Sequence, residues 1–372
     1  MPRVVIAMSG GVDSSVASAL LKEQGYEVIG MMLRLWSEPG SEAYNRCCTP
    51  DDMALARRIA AQLDIPFYAV DAKESFRETV VDYFISGYTQ GITPNPCLIC
   101  NRRIRWEFLL ERALALGADY LATGHYARLR TADGGRRTAE SGQRATGGGQ
   151  IELLRGLDPH KDQSYVLHVL TQAKLAHAMF PLGDYTKPQV REMARKFDLP
   201  VAERADSQDL CFLGQGDYRD FLLRNAPEVA NPGPIVTREG QQLGEHQGLA
   251  FYTIGQRKGL GIAAPQPLYV IQKDGENNAL VVGTQAELGE TELTTGPVNW
   301  IAGQAPPNPV KLGVKIRYKA REVSGVVTPR EDGSVHIKFE EKLRDITPGQ
   351  AAVFFDGEVC LGGGIIEVGR SE

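Results

Sequence analysis

Two groups of residues in this chain have types and spacing suited to chemistry. The first is Ser9-Gly10-Gly11-Val12-Asp13-Ser14, which follows the apolar run Val4 to Met8. That run is short and β-branched, as a buried parallel strand is. From Asp13 onward, Val16, Ala19 and Leu20 recur at helical spacing up to Gly25. The glycines therefore occupy a strand-to-helix turn, where unpaired amides and the positive end of the helix dipole suit an anion. The turn lacks the lysine of G-x-x-x-x-G-K-[ST] and does not read as G-x-G-x-x-G, so it is a phosphate site of another kind.

The second group is the cysteines: Cys47, Cys48, Cys97, Cys100, Cys211 and Cys360. In a reducing compartment they read as metal ligands or reactive thiols sooner than as a disulfide framework. In "TPNPCLICNRRIRWEF", Pro94 and Pro96 hold the chain extended and a helix is expected to begin near Asn101. Cys100 then lies at a helix N-terminus beside Arg102, Arg103 and Arg105, and both dipole and cations favour its thiolate. Cys211 stands alone in "DSQDLCFLGQGDY", where a small buried hydrophobe is the competing reading. Cys360 in "GEVCLGG" reads as packing.

These residues need a frame. With 372 residues, 42% hydrophobic and 23% charged, the chain has material for two or three soluble domains. A net charge of −5 argues against an all-basic surface but leaves room for a local basic track. No apolar run reaches membrane-spanning length and the first residues lack signal-peptide organisation, so a cytoplasmic location is expected.

The fold class expected is α/β: a doubly wound parallel sheet over residues 1–205, a small central domain over 206–285 and an all-β C-terminal domain over 286–372. Strands are expected at 28–33, 67–70 and in "DYLATG". Helices are expected at about 51–63, 73–90, 102–116, 163–170, 172–179 and 187–198. Gly10 and Gly124 then share the carboxyl edge of the sheet, where ligands bind. Residues 131–150 are poor in apolar side chains and read as a surface loop. In "KLGVKIRYKAR", Leu312, Val314, Ile316 and Tyr318 alternate with Lys311, Lys315, Arg317 and Lys319. No acid interrupts that row, which predicts a strand with one basic face for RNA.

Ser9, Gly10, Gly11, Asp13 and Ser14 match the S-G-G-x-D-S loop of the PP-loop ATP pyrophosphatases. With "TPNPCLICN", "ATGHYAR", "LLRGLDPHKDQSY", "FPLGDYTKPQVR" and "TIGQRKGLGI", the chain resembles the tRNA-specific 2-thiouridylases, the MnmA family, over nearly its whole length. The resemblance implies a PP-loop domain, a central domain and a C-terminal β-barrel. It implies ATP-dependent replacement of O2 by sulfur on the wobble uridine of tRNAs for Lys, Glu and Gln. Ala7, Met8, Ser9, Gly10, Gly11, Val12, Asp13, Ser14, Leu33 and Gly124 would bind ATP, with Mg2+ on Asp13. Asn95, Pro96 and Cys97 would lie against the target base. His125, Lys161, Asp162, Gln163, Arg317, Tyr318 and Gln350 would contact the tRNA. Cys100 matches the nucleophile and Cys211 the cysteine that carries a persulfide, supplied by a cysteine desulfurase or a sulfur-relay protein. A Cys100–Cys211 disulfide would close as AMP leaves.

Many family members carry Asp where this chain has Cys97. The change opens an alternative: a sulfur-accepting [4Fe–4S] cluster on Cys97, Cys100 and Cys211, with Cys47 or Cys48 as a further ligand. Structural zinc needs four ligands, and only three are placed together. Other PP-loop adenylating enzymes, such as amidating synthetases, need an ammonia source that nothing here resembles. A silent tRNA-binding protein would have no use for Asp13, Cys100 and Cys211 together.

Overall fold

The computed structural model describes residues 1–40, 49–132, 149–205, 210–213 and 216–368. Cys47, Cys48 and most of the 131–150 segment lie outside the described residues.

The first layer is a parallel sheet of β1 (Arg3–Ala7), β2 (Glu27–Arg34), β3 (Phe67–Asp71), β4 (Tyr120–Ala122) and, after the hairpin of β5 (Ala127–Thr131) and β6 (Ile151–Arg155), β7 (Ala178–Met179). The order across the sheet is β3-β2-β1-β4-β7, with every neighbouring pair parallel. The strand order reverses between β1 and β4, the place in a doubly wound sheet where a crevice opens at the strand carboxyl ends. The loops carrying Gly10 and Gly124 leave those two strands. β7 corrects the expectation of helix up to 179. That helix stops at Leu175, and Ala178 and Met179 extend the sheet beside Leu121 and Ala122. Burial against the sheet overrides local propensity there.

The helix Val12–Glu23 packs one face on β1 and β2 through Val16, Leu20 and Leu21. On the opposite face, Val5, Ile29 and Leu121 meet Trp106 and Leu109 from the segment that begins at Pro96. That segment is helical from Pro96 through Ala115, with π-helical winding over Cys100–Leu109. The expected start near Asn101 is therefore five residues late. Pro at the first helical position loses no hydrogen bond and presets φ, so Asn95-Pro96 starts the helix where extended chain was expected.

The central region holds a four-stranded sheet of Gly233–Val236, Gln242–His246, Tyr269–Asp274 and Ala279–Gly283. Its core is continuous with that of the first layer, since Val270, Leu280 and Phe221 share a cluster with Phe76 and Phe84. The C-terminal strands form an antiparallel sheet from Glu290–Thr295 to Val359–Ile365. The β5–β6 hairpin joins it: Leu153 and Leu154 pair with Cys360 and Val359. Cys360 is buried there, and burial raises its thiol pKa, consistent with packing. No helix among the described residues is long and apolar enough to cross a membrane.

Candidate active site

The turn after β1 is shaped by close approach. Gly10 has φ +71°, and a Cβ there would sit 2.7 Å from the Asp52 carbonyl oxygen. A Cβ on Gly124 would lie 2.9 Å from the Ser14 amide nitrogen, so the β4 loop presses directly on the helix start. Gly11 is the N-cap and gives the first-turn amides no side-chain partner. Around them the serines are bonded inward. Ser14 Oγ accepts from the Ser9 amide at 3.1 Å, and Ser15 Oγ donates to the Gly11 carbonyl at 2.7 Å. Arg204 donates to the Gly10 carbonyl at 3.0 Å and pairs with Asp52, which caps the helix Pro50–Gln62 with Thr49. The result is a braced concave turn of backbone donors, a suitable cradle for phosphate.

Asp13 projects from the first turn and is held by two residues that sequence spacing missed. Lys187 Nζ donates to Asp13 Oδ1 at 2.7 Å, and Tyr126 Oη donates to the same oxygen at 2.7 Å. Lys187 is only 8% exposed, which places a buried ammonium beside the phosphate turn. It opens the helix Lys187–Lys196, N-capped by Thr186, and its own amide donates to Asp158 Oδ2 at 3.0 Å. Gln163 grips the Tyr126 backbone at both ends, its amide donating to the carbonyl at 2.9 Å and its side chain accepting at 3.0 Å. Both residues lie within the matched segments "FPLGDYTKPQVR" and "ATGHYAR", the signal that could have found them.

With those two bonds on Oδ1, Asp13 Oδ2 and the oxygens of a phosphate held in the turn would supply the kind of donors Mg2+ takes: one or two carboxylates, phosphate oxygens and water. The residues present fit that ion.

Several expected tRNA contacts have other surroundings. His125 is 7% exposed, with Nδ1 2.7 Å from Thr123 Oγ1 and its ring edge-on to Phe180. Burial first, then Arg105, pushes its pKa down to about 3, so the ring is neutral. Asp162 is buried too, accepting from the amides of Gly156 and Ser164 and from Ser164 Oγ. The basic row of "KLGVKIRYKAR" is partly paired within the fold. The strand ends at Lys315, Lys311 pairs with Glu340 at 2.8 Å, and half-buried Arg317 donates to Thr347. Neighbouring strands supply the partners that the contiguous sequence lacks.

Two expected residues meet across the chain. Asn95 Nδ2 donates to Gln350 Oε1 at 3.4 Å, and Gln350 Nε2 donates to the Thr93 carbonyl at 2.9 Å. The Thr93 amide bonds to Pro348, which stitches the "TPNPC" loop to a turn of the C-terminal sheet.

The cysteines divide. Cys97 is exposed in the first helical turn and lies near Tyr318, whose pKa is raised by burial, then by Asp162 and Cys97. Cys100 and Cys211 are half-buried and pack against one apolar cluster that also takes Leu33 from β2. All three are thiols here. Among the described residues, no three His, Cys, Asp or Glu side chains converge as a metal requires. The three-thiolate cluster expectation therefore finds no support among the described residues: Cys97 is exposed near Tyr318, while Cys100 and Cys211 are half-buried against the aromatic cluster.

His125 and His168 make a testable pair. Burial pushes His168 down to about 4, with Nδ1 at 2.7 Å from the Tyr165 carbonyl oxygen. An unfolded chain protonates both rings below about pH 6.5 while the fold resists, so stability rises with pH from about 4 to about 6.5 and is flat above. Each ring should contribute a slope of about 1.4 kcal/mol per pH unit inside that window. Urea midpoints between pH 5 and 6.5 should flatten in His125→Gln, and an unchanged slope would refute the buried neutral ring.

The tRNA methyl transferase HUP domain model matches residues 2–215, its PRC-barrel domain model residues 219–284, and the aminomethyltransferase beta-barrel domain model residues 290–366. The tRNA-specific 2-thiouridylase MnmA of Moorella thermoacetica is 47% identical, covering 98% of this chain and 99% of its own. That of Magnetococcus marinus is 48% identical over 98% of each chain. That of Roseiflexus castenholzii is 48% identical over 98% of this chain and 99% of its own. With three domain models in order and relatives this similar from end to end, the chain belongs to the MnmA family of tRNA-specific 2-thiouridylases.

Proposed function

We propose that the chain replaces O2 of the wobble uridine in tRNAs for Lys, Glu and Gln with sulfur, using ATP and a persulfide on Cys211. The observation that carries this reading is the packing of Cys100 and Cys211 against one apolar cluster, which also takes Leu33 from near the carboxyl end of β2. The relatives' name, 2-thiouridylase, supports the same chemistry.

O2 attacks the α-phosphorus of ATP, the bond to the β-phosphate breaks, and pyrophosphate leaves. The outer persulfide sulfur then attacks C2. The Cys100 thiolate attacks Cys211 Sγ, its S–S bond breaks, and the electron pair passes to the sulfur on C2 as AMP departs. Thiouridine and a Cys100–Cys211 disulfide remain, and a reductant must open the disulfide before the next cycle. First-turn amides and Lys187 hold the phosphates. Mg2+, held through Asp13, neutralises phosphate charge when bound. Asn95 and Pro96 line the target base, with Gln350 bracing that loop from the C-terminal sheet. Lys161, Gln163, Arg317 and Tyr318 contribute to the tRNA surface, whereas His125 and Asp162 support it from beneath. A cysteine desulfurase or relay protein loads Cys211 in the cytoplasm.

The test is direct. Unmodified tRNA for Glu, incubated with the protein, ATP, Mg2+ and a persulfide donor, should gain 2-thiouridine with AMP in equal amount. Nucleoside mass analysis showing no sulfur-for-oxygen exchange would sink the proposal.

A further inference from the structure

We propose that Tyr126 is a positioning residue for adenylation: its hydroxyl fixes the direction of the Asp13 carboxylate, so that Oδ2 is presented to the metal that accompanies ATP. The inference rests on the reading above in which Mg2+ is held through Asp13, and it assigns the residue that aims that carboxylate.

A carboxylate does not point anywhere unless donors hold it, because the terminal torsion of an aspartate is broad and two-fold. Asp13 is about one-third exposed, so packing alone does not hold its oxygens. Two donors meet on Oδ1, Lys187 Nζ and Tyr126 Oη, each at 2.7 Å. They are not equivalent. The ammonium is a point charge on a flexible stem, with three donors that turn to meet any nearby anion. Phosphates seated in the turn compete with Asp13 for it. The phenol is neutral, and its hydroxyl is carried on a rigid ring. It keeps its bond to Oδ1 when Lys187 turns to the phosphates. Among the described residues no donor bonds Oδ2, which leaves that oxygen for a cation.

The ring is delivered from a fixed place. Tyr126 is 2% exposed and packs in the cluster that holds Met8, Val12 and Leu182. Both of its backbone polar groups are tied to Gln163: the Tyr126 amide donates to Gln163 Oε1 at 3.0 Å, and the Gln163 amide donates to the Tyr126 carbonyl at 2.9 Å. Gly156 faces that carbonyl so closely that a Cβ would sit 2.8 Å from its oxygen. Asp162 locks the same turn by accepting from the Gly156 and Ser164 amides at 3.1 and 3.0 Å. On the other side of Asp13, a Cβ on Gly124 would lie 3.1 Å from the Asp13 Cβ, so the β4 loop closes that approach. The carboxylate is thus backed by Gly124 and aimed by Tyr126.

The experiment uses Tyr126→Phe in the full chain, which keeps the ring in the core and removes only the hydroxyl. Mn2+ stands in for Mg2+, and its binding is followed by loss of the free-ion paramagnetic resonance signal, with a non-hydrolysable ATP analogue present and tRNA absent. The Kd for Mn2+ should rise about tenfold, the size of one lost hydrogen bond to a charged group. Affinity for the analogue without metal should stay within about twofold, because the first-turn amides and Lys187 are untouched. In turnover, the Mg2+ concentration that half-saturates tRNA-dependent pyrophosphate release should rise by about the same tenfold, with KM for tRNA changed less than about twofold. A ring that only filled the core would lower the urea midpoint and leave the metal curve in place. Mn2+ affinity within about twofold of wild type would overturn the positioning role, whatever the activity. Asp13→Asn, measured in parallel, separates the two readings. If it binds Mn2+ like wild type, the metal reading of Asp13 has failed. If it loses Mn2+ while Tyr126→Phe keeps it, only the assignment of Tyr126 has failed.

Discussion

Asp13→Asn is expected to lower tRNA-dependent pyrophosphate release by about a thousandfold, close to 4 kcal/mol of transition-state stabilisation. The change keeps shape and removes charge. Asp13 Oδ1 takes both the Lys187 ammonium and the Tyr126 hydroxyl at 2.7 Å, so an amide there breaks an ion pair and weakens a hydrogen bond together. It also removes the carboxylate through which Mg2+ would be held. ATP affinity should change far less, by about threefold, because Lys187 remains to meet the phosphates. In the nucleotide-free protein the variant should lose about 1–2 kcal/mol of stability. That is below the cost of breaking a fully buried pair, since Asp13 is about one-third exposed. Pyrophosphate release within threefold of wild type would remove Asp13 from the reaction.

Cys211→Ser should abolish 2-thiouridine formation, with a fall of at least about ten-thousandfold, while ATP cleavage in the presence of tRNA continues. The asymmetry follows from the division of labour. The phosphate turn, Asp13, Lys187 and Gly124 are built on β1, β4 and two helices that do not depend on the Cys211 sulfur. A serine oxygen cannot carry a transferable sulfur, so the activated uridine would persist or revert by hydrolysis. The measurement is AMP or pyrophosphate per thiouridine, close to one in wild type and rising without limit in the variant. A variant that still thiolates would move the sulfur carrier to another residue. A variant that stops cleaving ATP would mean that Cys211 takes part in adenylation.

Legibility followed the range of each interaction. Ser9 to Ser14 were readable because strand, turn and helix start are contiguous, and the turn's chemistry resides in its own amides and glycines. Asp13 was readable for the same reason, but its partners were not. Lys187 and Tyr126 lie far along the chain and carry no periodic signal; they reach Asp13 because β4 neighbours β1 and the Lys187–Lys196 helix packs on Val12–Glu23. The basic row from Lys311 was legible only in part. Alternation revealed a strand, but only the packed structure could supply Glu340 and Thr347 as partners.

From sequence alone came the glycine-rich strand-to-helix turn, the α/β-then-β order of the chain and the cysteines proposed to handle sulfur, because each is written in local residue types and spacing. Tertiary structure decided that Cys100 and Cys211 share one apolar cluster while Cys97 is exposed, that Asn95 meets Gln350, and that the β5–β6 hairpin joins the C-terminal sheet. Those outcomes depend on which distant surfaces bury one another and on strand order. Neither quantity is carried by the spacing of residues along the chain.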